Sequence, residues 1–241
     1  MQQNKQMIDK MGYDRSITMF SPDGRLLQVE YAKKTVKQGP TAMGIACKDG
    51  VVFITDKRIL SKLVVPEAIE KMFKIDDHIG ATAAGLIADA RVLVDRAQLH
   101  AQQHAVTYDT KIDIISIVKE MCDLKQVCTQ SAGLRPFGVS MLVGGVEDDG
   151  DVKLYITEPY GLYFQCRAAV IGMGDTEIEP QLEKRWKAGM SVEEGLRLGL
   201  SLMKEFLKDE FNFDRVDAAF VDGKERRFTK LSNDELKKLV K

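Results

Sequence analysis

The sequence predicts an α+β fold in which two antiparallel sheets stack face to face and carry helices on their outer sides. Three observations lead there. Short apolar runs separated by turn residues come in groups of four, three and two. Longer segments with apolar residues three and four apart come in pairs between those groups. Strands do not alternate singly with helices, which excludes a doubly wound parallel sheet. No linker rich in Pro, Gly or Ser interrupts the chain and no repeat is present, so one domain is expected over residues 13–241, after a polar N-terminal segment at 1–12.

The elements follow in order. Ser21-Pro22-Asp23-Gly24 reads as a turn that starts a helix, with Pro22 suited to a first helical position and Asp23 to the positive end of the dipole. Leu26, Val29, Ala32 and Val36 then recur at helical spacing until Gly39-Pro40, giving a helix over 23–38. Residues 41–48 and 51–56 are apolar runs joined at Asp49-Gly50, a hairpin signal. A second pair, 71–75 and 79–85, turns at Asp76-Asp77-His78.

Two long helices are expected at 87–105 and 112–129. In the first, Ala90, Leu93, Val94, Ala97 and Ala101 form the buried stripe, while Asp89, Arg91, Asp95 and Arg96 lie off it. Strands return at 139–146, 153–157 and 164–172, where Gly144-Gly145 marks either a bulge or close packing. Helices follow at about 176–188 and 192–208, the second opened by a Ser191/Glu194 capping box. A hairpin around Asp222-Gly223 and a last helix opened by Ser232 and Glu235 complete the chain.

Composition narrows the function. The 241 residues carry 35 Lys+Arg against 36 Asp+Glu, a net charge of −1, without the basic excess that nucleic-acid binding needs. With 44% hydrophobic residues and 6 Pro the chain is neither disordered nor fibrous. A chain this long buries roughly 70% of its unfolded surface and needs no covalent staple. No apolar run reaches a bilayer span, so no membrane partner is expected. The start MQQNKQMIDKMG has no apolar core of a secretory signal, and Cys47, Cys122, Cys128 and Cys166 lack metal or disulfide spacing. They read as reduced core cysteines of a cytoplasmic protein.

Generic chemistry is absent. His100 and His104 sit four apart on a helix, but Ala101 stands where a zinc hydrolase motif needs Glu, so no metal is expected. There is no phosphate-binding loop, no dinucleotide fingerprint and no nucleophile elbow, so no cofactor is expected either.

The segment YDRSITMFSPDGRLLQVEYA at 13–32 resembles the signature of proteasome α-subunits, the archaeal ones in particular. Further stretches, at 39–58, 69–97 and 133–145, are similar to the same family. The resemblance implies a four-layer αββα sandwich of the N-terminal nucleophile hydrolase type. It implies a non-catalytic subunit in a seven-membered outer ring that caps a chamber of proteolytic β-subunits. The ring gates entry of unfolded protein and docks the C-terminal tails of an activating AAA ATPase. Partners would thus be further copies of this chain, β-subunits, the ATPase and substrates in transit.

Residues carry over from the same resemblance. The polar segment 1–12 would be the gate, supported by a cluster of Tyr13, Asp14, Pro22 and Tyr31. Lys71 would pair with the docked tail's carboxylate, near Gly24 and Glu30. Lys33 stands where relatives often have Arg and would lack the rigid fork. Ser131, Ala132, Gly133 and Leu134 would form a pore constriction, although Ser131 and Ala132 depart from the family's pattern. Catalytic members use an N-terminal Thr whose free amine acts as base. Here Pro40 falls at that position and Thr41 is internal, so no catalytic residue is expected. Asp56 and Lys71 resemble the accessory acid and lysine, so a self-processed threonine hydrolase is the alternative. A scaffold module unrelated to proteolysis is a third reading.

Overall fold

The computed structural model describes residues 16–59 and 63–239. Helix α1 (Leu27–Gln38) leads into β1 (Ala42–Cys47) and β2 (Gly50–Asp56), then β3 (Met72–Asp76) and β4 (Ile79–Gly85). Helices α2 (Ile87–Tyr108) and α3 (Ile114–Gln130) come next. They are followed by β5 (Val139–Val146), β6 (Val152–Thr157), β7 (Tyr163–Gln165) and β8 (Ala168–Ile171). Helices α4 (Asp175–Arg185) and α5 (Val192–Leu207), strands β9 (Val216–Asp222) and β10 (Phe228–Lys230) and helix α6 (Asn233–Leu239) close the chain.

Two five-stranded sheets result, ordered β10-β9-β2-β1-β8 and β3-β4-β5-β6-β7. Every strand pair is antiparallel. The central strands explain why the sequence shows unbroken apolar runs. In β2, Val52 and Ile54 pack toward α4 and α5 while Val51 and Phe53 fill the space between the sheets. In β5, Val139, Met141 and Val143 face α2 and α3 while Leu142 and Val146 face the other sheet. Both faces are dry, so the polar half of the usual alternation disappears. This is the expected α+β sandwich with helices on both outer sides.

Three boundaries differ from expectation. Helix α1 begins at Leu27, because Gly24 adopts φ +72° inside a closed turn. There Gly24 N–H donates to Ser21 O (2.8 Å) and Arg25 N–H to Ser21 Oγ (3.1 Å), so Pro22 and Asp23 belong to a turn and not to a first helical turn. The run expected as one strand at 164–172 splits at Cys166-Arg167. Its halves β7 and β8 join different sheets, a crossing that apolar periodicity cannot reveal. Helix α4 stops at Arg185, since Trp186 is already extended. The Gly144-Gly145 pair keeps regular register, and a Cβ on Gly145 would run into the His78 carbonyl oxygen, so close packing is the reason for glycine.

The Ser191/Glu194 capping box forms as expected. The four cysteines are free, and burial pushes the Cys47 and Cys166 thiols up to about 12. His100 and His104 are half-buried, His104 faces the Thr110 carbonyl, and the described residues hold no metal-binding group.

Lys125 of α3 is wholly buried and stitches β5 to β6, its Nζ donating to Val139 O (3.1 Å) and Thr157 Oγ1 (2.8 Å). Burial pulls its pKa down from 10.5 to about 8, against the attraction of Cys122 and Glu158. The unfolded chain therefore holds more protons than the folded one between those values, and Lys125's contribution to stability rises with pH there. In urea unfolding, the stability of Lys125→Met relative to the parent chain is expected to drop by on the order of 2 kcal/mol between pH ~7 and ~10. A difference that does not vary with pH would show that the buried ammonium carries no such cost.

Candidate functional site

The residues that would matter for catalysis converge where α1 ends and β1 begins. Thr41, fully buried, precedes β1. Its carbonyl accepts from Asp56 N–H (2.9 Å) and Thr55 Oγ1 (3.2 Å), and its hydroxyl accepts from Gly174 N–H (3.0 Å) at the start of α4. Asp56 ends β2, and its carboxylate is gripped by Arg215 through Nε (2.6 Å) and Nη2 (2.9 Å) and by Arg58 N–H (2.8 Å). Arg215, which also pairs with Glu210, has its pKa raised further by these carboxylates and stays charged.

Lys71 lies just before β3 and is only 1% exposed, not the surface lysine that its sequence context suggests. Its Nζ donates to Asp56 O (2.7 Å) and Pro40 O (3.1 Å). Burial pulls its pKa down to about 7, against the attraction of Asp56 and Asp217. Nearby, Lys57 and Asp217 form a buried ion pair at 3.0 Å.

Nucleophilic catalysis by threonine needs a hydroxyl beside a free amine. The nitrogen of Thr41 is instead the amide of the Pro40–Thr41 peptide, and its hydroxyl already binds Gly174. The acid and lysine of the alternative reading are adjacent, yet each is committed: Asp56 to a guanidinium, Lys71 to two carbonyls.

The expected docking residues do not meet within one chain. Gly24 and Pro22 are exposed in the turn ahead of α1, Glu30 and Tyr31 lie on its first half, and Lys33 lies just past its middle. Lys71 touches Pro40 beyond its far end. At the helical rise, Glu30 and Pro40 are roughly 15 Å apart along the axis. Lys33 Nζ sits over the Tyr160 ring (4.6 Å to its centre), and Lys34 Nζ lies over Tyr31 (5.7 Å), contacts that an ammonium makes without a fork. Tyr13, Asp14 and the segment 1–12 lie outside the described residues.

Ser131–Leu134 forms a short connection from α3 toward β5. Leu134 N–H bonds Ser131 O (3.3 Å), Gly133 takes φ +89°, and Ala132, Gly133 and Leu134 are exposed. Arg135 leaves the loop and forks onto Asp89 of α2, with both N–H···O distances 2.6 Å. Asp89 also accepts from Gly138 N–H (2.8 Å). Burial works against its charge, but Arg135 and Gly138 outweigh that and hold its pKa below the usual range. Sequence spacing put Asp89 off the buried stripe; it is in fact buried, because a partner from the segment ahead of β5 neutralises it. Arg215 was likewise missed, since nothing local links it to Asp56.

Comparison with known proteins identifies the family. The family described as proteasome subunit matches residues 36–221, and the N-terminal signature of A-type proteasome subunits matches residues 13–34. A proteasome alpha subunit from Methanocaldococcus jannaschii is 45% identical over 98% of this chain and 89% of its own length. That from Archaeoglobus fulgidus is 46% identical over 97% of this chain and 94% of its own. The Pyrococcus horikoshii protein of the same name is 46% identical over 95% of this chain and 87% of its own. With the sandwich, the N-terminal signature and near-full-length identity in agreement, this chain belongs to the proteasome family as an α-type subunit of the core particle.

Proposed function

We propose that this chain is a non-catalytic, cytoplasmic subunit that closes into a seven-membered ring over the β-subunit chamber and controls entry of unfolded protein. The observation that carries the non-catalytic reading is the Pro40–Thr41 junction, where the would-be nucleophile has no free amine and its hydroxyl is already bonded to Gly174. A ring of identical copies needs two different complementary faces on each. Pockets between copies could then bring Lys71 of one chain near the turn at Gly24 and the first half of α1 on the next. The docking partner is the tail of an AAA ATPase ending in an apolar residue, Tyr and one further residue. The polar segment 1–12 is the gate, and the Ser131–Leu134 loop the constriction below it.

The adjacency of Lys71, Asp56 and Thr41 keeps the self-processed hydrolase as a second reading. Native mass spectrometry of the chain expressed alone, with a peptidase assay on the same sample, separates them. A ring of seven or fourteen intact chains without turnover is expected; a chain beginning at Thr41 with turnover that Thr41→Ala abolishes would establish the hydrolase.

In the assembled particle, deletion of residues 2–12 is expected to speed hydrolysis of short peptides. An unchanged rate would remove the gate from that segment.

Docking carries a pH signature. With a pKa of about 7, Lys71 is half neutral at that pH, whereas a docked carboxylate favours its charged form and raises that pKa. Binding then takes up a proton as pH rises, so tail-peptide affinity falls by up to about tenfold per pH unit between pH ~7 and ~9. Lys71→Met, which keeps the apolar stem, should bind weakly and without this slope. An affinity of the parent particle that is flat with pH would take Lys71 out of the pocket.

A further inference from the structure

We infer that Asp89 and Arg135 are the positioning pair that sets how wide the Ser131–Leu134 loop holds the pore. The inference rests on the reading, made above, that this loop lines the entry path.

The loop has little of its own to hold it. Its one internal backbone bond is Leu134 N–H to Ser131 O, and three of its four residues are exposed. Such a loop takes its position from its two ends. One end is the last turn of α3, where Ser131 N–H still bonds Val127 O (3.1 Å). The other is Arg135. Its guanidinium forks onto the Asp89 carboxylate with two bonds of 2.6 Å, and its Nη1 also reaches Pro136 O (3.0 Å). The second oxygen of Asp89 also takes Gly138 N–H, so one carboxylate holds the chain on both sides of Pro136-Phe137. Two bonds fix the rotation of the guanidinium plane as well as its distance, which one bond cannot do.

The frame behind Asp89 does not yield. Asp89 stands in the first turn of α2, where the helix dipole favours its charge. Just ahead of that turn, a Cβ on Gly85 would run into Gly138 O, and a Cβ on Gly39 would run into the Gly85 backbone. Leu86 N–H bonds Gly138 O (2.9 Å). The ends of α1 and β4 and the start of β5 thus meet backbone to backbone, so the Gly138 end of the segment that Asp89 holds is fixed.

The two partners differ in exposure: the Arg135 side chain is 62% exposed and the Asp89 side chain 9%. Replacing Arg135 leaves the Asp89 carboxylate with Gly138 N–H and the start of the helix, at some cost in stability. Urea unfolding of each variant therefore accompanies the test, and Arg135→Lys keeps a positive charge beside the carboxylate.

The test uses core particles assembled with β-subunits and lacking residues 2–12, so that the gate does not limit entry. Three substrates are compared: a short fluorogenic peptide, a linear unfolded polypeptide, and the same polypeptide held as a two-strand loop by a disulfide. Arg135→Ala and Arg135→Lys are both expected to raise degradation of the disulfide-held chain relative to the linear one several-fold, with short-peptide hydrolysis unchanged. Lys fails with Ala because it keeps the charge and loses the fork. Asp89→Asn should act in the same direction. An unchanged ratio in both Arg135 variants overturns the proposal, as does an equal change for all three substrates. Ala132→Cys particles labelled with a bulky maleimide, against labelled parent particles, separate the two layers of argument. Slowed linear-chain entry on labelling with unaltered Arg135 variants overturns the positioning role alone. Labelling without effect overturns the pore reading and this proposal with it.

Discussion

Two sheets that face each other and are each backed by helices leave their central strands without a wet side, so every polar group carried inward must find a partner inside. The constraint shapes the chain from end to end. It makes β2 and β5 buried throughout. It also decides which polar residues are tolerated, since an unpaired buried charge costs several kcal/mol. Lys125 is accepted because Val139 O and Thr157 Oγ1 accept its hydrogen bonds, and Asp56 because Arg215 and the Arg58 amide surround it. Glu147, at the end of the inner strands, meets Ile114 N–H (3.2 Å) and Lys153 Nζ (3.3 Å) and so satisfies the start of α3.

The same rule gives the Pro40–Thr41 region its character. An acid, a lysine and a hydroxyl lie together there, the ingredients of hydrolysis, in a place that admits no water-exposed charge. Each is hydrogen-bonded by what the fold supplies, so the cluster joins the end of α1, the start of β1, the end of β2 and the approach to β3 into one knot. To act as a general base, Asp56 would have to leave a bidentate guanidinium, and Lys71 would have to release the Pro40 and Asp56 carbonyls. Local chemistry and local stability are in competition at this point, and the hydrogen bonds favour stability.

Much of the architecture was legible because burial leaves a periodic trace. Runs such as VVFITD and VSMLVGGV, short and bounded by turn residues, read as strands, and the spacing of Ile114, Ile117, Val118 and Met121 reads as one face of a helix. What stayed hidden depends on contacts between distant segments. Spacing cannot say that β7 and β8 part company at Cys166-Arg167, because both halves are apolar. The turn at Ser21–Gly24 looked like a helix start because Pro and Asp suit one, and only the positive φ of Gly24 decides otherwise. Lysine in a sequence reads as surface, so the burial of Lys71 and Lys125 was invisible; their acceptors are main-chain carbonyls and a threonine hydroxyl brought in by folding. Of the site residues taken from family resemblance, Pro22, Gly24, Glu30 and Tyr31 share one turn and one helix half, Lys33 follows just past the helix middle, and Lys71 lies at the opposite end.

That separation says something about how the parts divide their work. The far end of α1 is built into the molecule: Gly39 meets Gly85 backbone to backbone, and Pro40 is held from below by Lys71. The near end rests on a turn closed by hydrogen bonds to Ser21, with Pro22 and Gly24 in solvent. Tight backbone contacts resist displacement because any movement meets atoms at once, whereas an exposed turn exchanges its bonds with water at little cost. A contact made at the near end thus meets a compliant surface fixed to a rigid root. The Ser131–Leu134 loop repeats the pattern, exposed over most of its length and bound to the frame through Arg135 and Asp89. Surface segments of this kind can be altered without disturbing the sandwich, because the bonds that stabilise the fold lie beneath them.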